Sequence, residues 1–126
     1  MLMATVLVVE DSRPNAQLIK AALETRGFEV MCAFDGDEGV RLAHELRPAL
    51  IVMDLRLPGR GVDGWEAIEL IRSDPIIGQV PIIVTSVESH PSDRQRAFDV
   101  GCDVYLAKPF DINEFRGLVA DFVGQP

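Results

Sequence analysis

The sequence predicts an α/β fold built on a parallel sheet, and three observations carry that prediction. Short apolar runs rich in β-branched residues alternate with amphipathic stretches along the whole 126-residue chain. Each run is about five residues long and continuous rather than alternating, as strands covered on both faces require. No linker-like segment or internal repeat interrupts the pattern, so one domain is expected over residues 1–126, with a core over about residues 4–123.

The runs are Thr5 to Val9 (TVLVV), Phe28 to Ala33 (FEVMCA), Leu50 to Met53 (LIVM), Pro81 to Thr85 (PIIVT) and Asp103 to Ala107 (DVYLA). Pro14 to Arg26 forms the first helix, with Pro in its first turn, Leu18, Ile19, Ala22 and Leu23 on one side, and Gly27 as its stop. Gly39 to Glu45 is the second, turning Val40, Ala43 and Leu46 inward. Trp65 to Arg72 buries Ala67, Ile68 and Ile71, and Trp65 packs at its start. Ser92 to Val100 is polar apart from Ala97, Phe98 and Val100, which reads as a partly exposed helix. Asp111 to Val123 begins with the capping sequence DINE and stripes Phe115, Leu118, Val119 and Phe122. Five strands each followed by a helix need right-handed crossovers, which place helices on both faces of the sheet.

Composition excludes several function classes. The net charge is -8 despite ten arginines and two lysines, which argues against a nucleic-acid face and favours cation binding or a basic partner. The opening MLMATVLVV lacks a positive n-region, and no apolar run approaches the roughly 20 residues of a membrane span, so a cytoplasmic protein is expected. Cys32 and Cys102 do not make a metal pattern at their separation and read as small buried thiols. His44 and His90 fall at surface positions with no nucleophile spaced to form a triad.

In an open parallel sheet, the segments that follow the strands gather at one edge, where ligands bind. Here those segments are Glu10-Asp11-Ser12, the stretch DLRLPGRG from Asp54, SVES from Ser86, and Lys108-Pro109-Phe110. The second strand delivers only Phe34 and Asp35 and is placed outside the site. Asp54 closes the apolar run ALIVM, and a carboxylate at the end of a buried strand is costly unless function needs it. Glu10, Asp11 and Asp54 would repel one another in one pocket. A hard divalent cation with oxygen ligands, Mg²⁺ above all, relieves that repulsion and keeps positions open for phosphate oxygens. Lys108 can take a further phosphate oxygen as a point charge. Asp54 can then attack phosphorus, and the set reads as phosphoryl transfer to an aspartate. Against this stand plainer roles: Asp11 or Ser12 as caps of the first helix, Lys108 as a solvated turn residue, Tyr105 as a strand core residue.

The segments VVEDS, Asp54 followed by Pro58 and Asp63-Gly64, the hydroxyl after PIIV, and GCDVYLAKPF stand in the order and on the strands of one known family. Across residues 5 to 110 the chain resembles the receiver domain of two-component response regulators, and its last helix fits in length. The resemblance implies a flavodoxin-like (βα)5 doubly wound sandwich with strand order 2-1-3-4-5, which sets Cys32 and Cys102 at opposite edges of the sheet. It implies that Asp54 accepts a phosphoryl group from a histidine kinase or histidine phosphotransfer protein. Asp11 would ligate Mg²⁺ directly, Glu10 through water, and the Arg56 carbonyl would add another oxygen. Lys108 would pair with the phosphoryl group, with its bond to Pro109 cis. Ser86 is the switch hydroxyl in preference to Thr85, on the spacing from Pro81 and the ungapped spacing to Lys108. Phosphorylation would draw Ser86 inward and let Tyr105 rotate into the vacated space. That remodels the surface of the fourth helix, fifth strand and fifth helix toward a downstream protein. Homodimerisation through that surface is left open, and direct nucleic-acid or membrane binding is not expected. Such a domain catalyses only its own phosphorylation and dephosphorylation, and no output domain is expected after VGQP.

Two departures from the family pattern stand beside the site. Four residues, Gly59 to Val62, separate Pro58 from Asp63 where the family has two; they form either a tolerated longer loop or, through Arg60, a contribution to kinase choice. Arg56 and Glu88 flank the approach to phosphorus and are expected to pair there and hinder hydrolytic water. Other functions fit less well. A flavin binder would need glycines where EDSRPN has none and two acids. An aspartyl phosphatase would want an acid where Arg56 stands. An unphosphorylated scaffold would usually have lost Asp54 or Lys108.

Overall fold

A computed structural model describes residues 4–57, 61–87 and 90–124. In it, β1 (Thr5–Val9), β2 (Glu29–Ala33), β3 (Leu50–Asp54), β4 (Ile82–Ser86) and β5 (Val104–Ala107) form one parallel sheet in the order β2-β1-β3-β4-β5. The helices are α1 (Arg13–Glu24), α2 (Gly36–Leu46), α3 (Gly64–Ser73), α4 (Asp93–Val100) and α5 (Ile112–Val123). The predicted fold class and strand order are those observed. No helix among the described residues is long and apolar enough to cross a membrane.

Strand alternation divides the core into two layers. Val6, Val8, Leu50, Val52 and Ile83 pack with Ile19, Leu23, Phe115 and Val119 of α1 and α5. Leu7, Val9, Ile51, Met53, Ile82, Val84 and Tyr105 face the other way, onto Ala43, Ile68, Ile71 and Ala97 of α2, α3 and α4. All residues of β3 and β4 are buried, which explains why their sequences read as unbroken apolar runs. Cys32 and Cys102 are both free thiols, the one in edge strand β2 and the other just before edge strand β5.

Local sequence chemistry sets the helix starts. Ser12, Asp35, Asp63 and Asp111 each precede a helix and accept a hydrogen bond from an amide in its first turn. The helix boundaries differ from the sequence reading by up to three residues, most at the start of α2 and the end of α1, and two residues read as inward-facing lie exposed. Helix α2 begins at Gly36 rather than Gly39, because Asp35 accepts from Glu38 N at 2.8 Å and Gly36 fits where any Cβ would strike the Val62 carbonyl oxygen. α1 ends at Glu24, with Thr25 as its C-cap. Leu18 and Phe122 are 61% and 42% exposed, because the narrower stripes Ala16-Ile19-Leu23 and Phe115-Val119 suffice to cover the sheet.

Candidate functional site

The carboxyl ends of β1, β3, β4 and β5 meet at one edge of the sheet. β3 runs through Asp54 itself, which pairs with Thr85, and so the carboxylate is held by strand geometry rather than by a loop. Gly64 lets the start of α3 lie against this strand end, since a Cβ there would come within 2.4 Å of the Asp54 carbonyl oxygen. Glu10 and Asp54 are 2% and 3% exposed, whereas Asp11 is exposed. Ligand oxygens of these three carboxylates all lie within 4.8 Å of one another.

Lys108 Nζ donates to Glu10 Oε1 at 2.7 Å and to Asp54 Oδ2 at 3.2 Å. Burial disfavours that ammonium, but the hydrogen bond to Glu10 and the Asp54 and Glu10 charges outweigh it, and its pKa is raised. Burial, then the hydrogen bond and negative charge of Glu10, raise the Asp11 carboxyl above its ordinary range. Main-chain donors complete the frame: Arg56 N to Asp54 Oδ1 at 3.0 Å and Ser12 N to Glu10 Oε2 at 3.2 Å. Three carboxylates against one ammonium leave the pocket short of positive charge. All the offered donors are hard oxygens, so the residues fit a divalent cation such as Mg²⁺.

The remaining predicted residues fall around this centre. Ser86 is fully buried at the end of β4, its hydroxyl donates to Val87 O at 3.3 Å, and its carbonyl accepts from Lys108 N at 2.7 Å. By strand alternation it shares the sheet face of Val84 and Tyr105, while Thr85 lies on the face of Ile83. Tyr105 is 3% exposed, with the Arg94 guanidinium 5.5 Å from its ring centre. The Lys108-Pro109 peptide bond is cis. Arg56 lies two residues past the end of β3, and its guanidinium donates to Asp93 Oδ2 at 2.7 Å. Its expected partner Glu88 lies outside the described residues, as do Pro58, Gly59 and Arg60. Of the four-residue loop stretch, Val62 is half-buried against the α2–α4 layer.

Sequence reasoning missed Asp93. An acid at a helix start carries no signal beyond its affinity for the helix dipole, and its partner is 37 residues away. It also missed a cavity of about 480 Å³ beside the pocket, bounded by α1 and the segment from Lys108 to Ile112. Leu18 and Val87, each 61% exposed, help line it, so the exposure of Leu18 belongs to a groove that opens next to the acids.

A doubly wound parallel sheet that gathers a buried aspartate, two further acids and a bridging lysine at its carboxyl edge defines an α/β module with an acidic pocket. The profile of the response regulator receiver domain matches residues 6–120, and the chain belongs to that family. It is a receiver domain of the two-component response regulators. It is 36% identical over 117 residues to the DNA-binding dual master transcriptional regulator RpaA of Synechocystis sp., a match covering 93% of this chain and 48% of the relative. The chain thus spans about half the length of that protein. Among solved structures it is similar to the receiver domain of sensor histidine kinase PA1611 from Pseudomonas aeruginosa, with magnesium coordinated in the active site cleft. That match has 34% identity and a TM-score of 0.87, covering 98% of this chain and 99% of the other. The Francisella response regulator 1452 receiver domain gives 31% and 0.86, over 95% of this chain and 96% of that one. The chemotaxis protein CheY4 of Vibrio cholerae gives 29% and 0.87, over 96% and 99%.

Proposed function

We propose that Asp54 is the phospho-accepting residue and that the domain takes its phosphoryl group from a histidine kinase or histidine phosphotransfer protein in the cytoplasm. The observation that carries this reading is Lys108, bridging Glu10 and Asp54 at 2.7 and 3.2 Å inside a pocket of three carboxylates. Glu10, Asp11 and Asp54, with the Arg56 carbonyl, would hold Mg²⁺, which when bound neutralises phosphoryl oxygens. The magnesium-bound receiver domain from Pseudomonas aeruginosa supports that assignment.

The chain's own residues do the rest. Arg56 N, bonded to Asp54 Oδ1, fixes the orientation of the carboxylate. An Asp54 oxygen forms the bond to phosphorus as the bond to the donor's imidazole nitrogen breaks and the electron pair leaves with that ring. Lys108, already at the carboxylate, follows the new negative charge. The groove beside Lys108 offers the donor protein apolar surface at Leu18 and Val87. Ser86 is the switch hydroxyl, a choice supported by the sheet face it shares with Tyr105, and Tyr105 carries the change to the α4–β5–α5 surface. A downstream protein, or a second copy of this chain, would meet that surface.

Incubation with acetyl phosphate and Mg²⁺, followed by intact-mass analysis, tests the assignment. One phosphoryl group should be gained by the native protein and none by Asp54→Asn. No gain, or a gain that survives the substitution, would overturn it.

A further inference from the structure

We propose that the Arg56–Asp93 ion pair is a tether by which the phosphorylation loop holds the first turn of α4, giving Asp54 a route to that helix separate from Ser86 and Tyr105. The inference rests on Asp54 as the acceptor. Arg56 touches both ends of the route. Its amide donates to Asp54 Oδ1 at 3.0 Å, and its guanidinium donates to Asp93 Oδ2 at 2.7 Å.

Asp93 is the first residue of α4 and only 8% exposed. A carboxylate so far removed from water needs a cation close by, so the pair decides where the helix begins. Few apolar side chains anchor α4: Ala97 is buried and Val100 packs partly buried against the same core. The helix has eight residues, and Ser92 makes no side-chain cap. Its further contacts include two arginines over rings, Arg96 4.1 Å from the centre of Trp65 and Arg94 5.5 Å from that of Tyr105. Such contacts on exposed side chains are weak.

Phosphorylation places a more negative, bulkier group where Arg56 N now meets a carboxylate oxygen. The phosphoryl group then competes with Asp93 for the Arg56 guanidinium, and whatever share it takes weakens the hold on α4. Coupling of this kind is reciprocal: a partner that grips α4 and displaces Asp93 alters the surroundings of Asp54 in return.

Amide hydrogen exchange of native protein and Asp93→Asn, each with and without acetyl phosphate plus Mg²⁺ and with phosphorylation followed by mass, tests the tether. Without phosphodonor, α4 amides of Asp93→Asn should exchange about fivefold faster than native ones, the size expected for one ion pair whose arginine is half exposed. Amides of β3 should be unchanged, which controls for folding, and Asp93→Glu should restore protection. Phosphorylation should loosen α4 in the native protein and add little in Asp93→Asn. Equal α4 exchange in the two unphosphorylated proteins, or an equal phosphorylation response in both despite full mass gain, overturns the tether alone. No mass gain in the native protein overturns the proposed function, and the coupling with it.

Discussion

Lys108 sets the electrostatics of the pocket, because it stands within hydrogen-bond reach of two carboxylates that are 3% and 5% exposed at their side chains. Replacing it with methionine keeps much of the bulk and removes the charge, which leaves Glu10 and Asp54 facing each other. Lys108→Met should therefore cost about 3 kcal/mol at neutral pH in the absence of divalent cation, the scale of a buried pair broken from one side. A urea midpoint equal to that of the native protein would refute this. Asp54 and Lys108 were legible in the sequence because each departs from its surroundings, one a charge ending an apolar run, the other a cation after a strand. Asp93 and Arg72 were not. Arg72 bonds Gly101 O at 2.9 Å, Val80 O at 2.6 Å and Asp103 Oδ2 at 3.0 Å, and its tie to Asp103 spans 31 residues, so no local pattern announces it. Of the two cysteines read as buried thiols, Cys102 is buried and Cys32 only partly so. Burial, then the neighbouring Asp103 charge, pushes the Cys102 thiol up to about 11, which keeps it protonated near neutrality.

At the level of elements, strands were easier to read than helix edges. A strand covered on both faces is apolar nearly throughout, and the sequence displays that in Leu50–Met53 of β3 and Ile82–Val84 of β4, with polar residues only where the strands reach the site. Where a helix begins depends on caps and on close approaches that only the fold reveals, as at Gly36. Glycines sort by the same test. A Cβ at Gly64 would lie 2.4 Å from Asp54 O and 2.5 Å from the Leu55 Cα, backbone atoms that cannot swing aside. A Cβ at Gly117, inside α5, meets nothing within 4 Å. Gly64→Ala should lower stability by about 1–3 kcal/mol through overpacking and slow phosphoryl uptake by shifting Asp54. Gly117→Ala should raise stability by about 0.5–1 kcal/mol through helix propensity alone and leave uptake unchanged. Urea midpoints with acetyl phosphate uptake rates check both, and matching signs for the two substitutions would contradict the geometry.

Across the whole molecule, the two edges of the sheet divide the work. The carboxyl edge concentrates repelling acids around Asp54, while polar clasps tie the opposite edge together. There Asp74, the residue after α3, accepts at Oδ1 from Ile76 N at 2.7 Å and Ile77 N at 3.3 Å, and its Oδ2 lies 3.0 Å from His44 Nδ1 on α2. The Ile76 amide first, then His44, hold its carboxyl below the ordinary value of 3.8. A folded-state pKa below the unfolded one stabilises the fold in full above the unfolded value, and the contribution disappears as pH falls through the folded value. Asp74→Asn keeps an acceptor oxygen for the two amides and removes the charge. Its urea midpoint should therefore lie below the native one at neutral pH and converge on it as pH drops below about 4. Phosphoryl uptake at Asp54 should be unaffected, since the substitution lies at the far edge. A gap in stability that persisted undiminished to acid pH would assign the effect to packing rather than to the carboxylate charge.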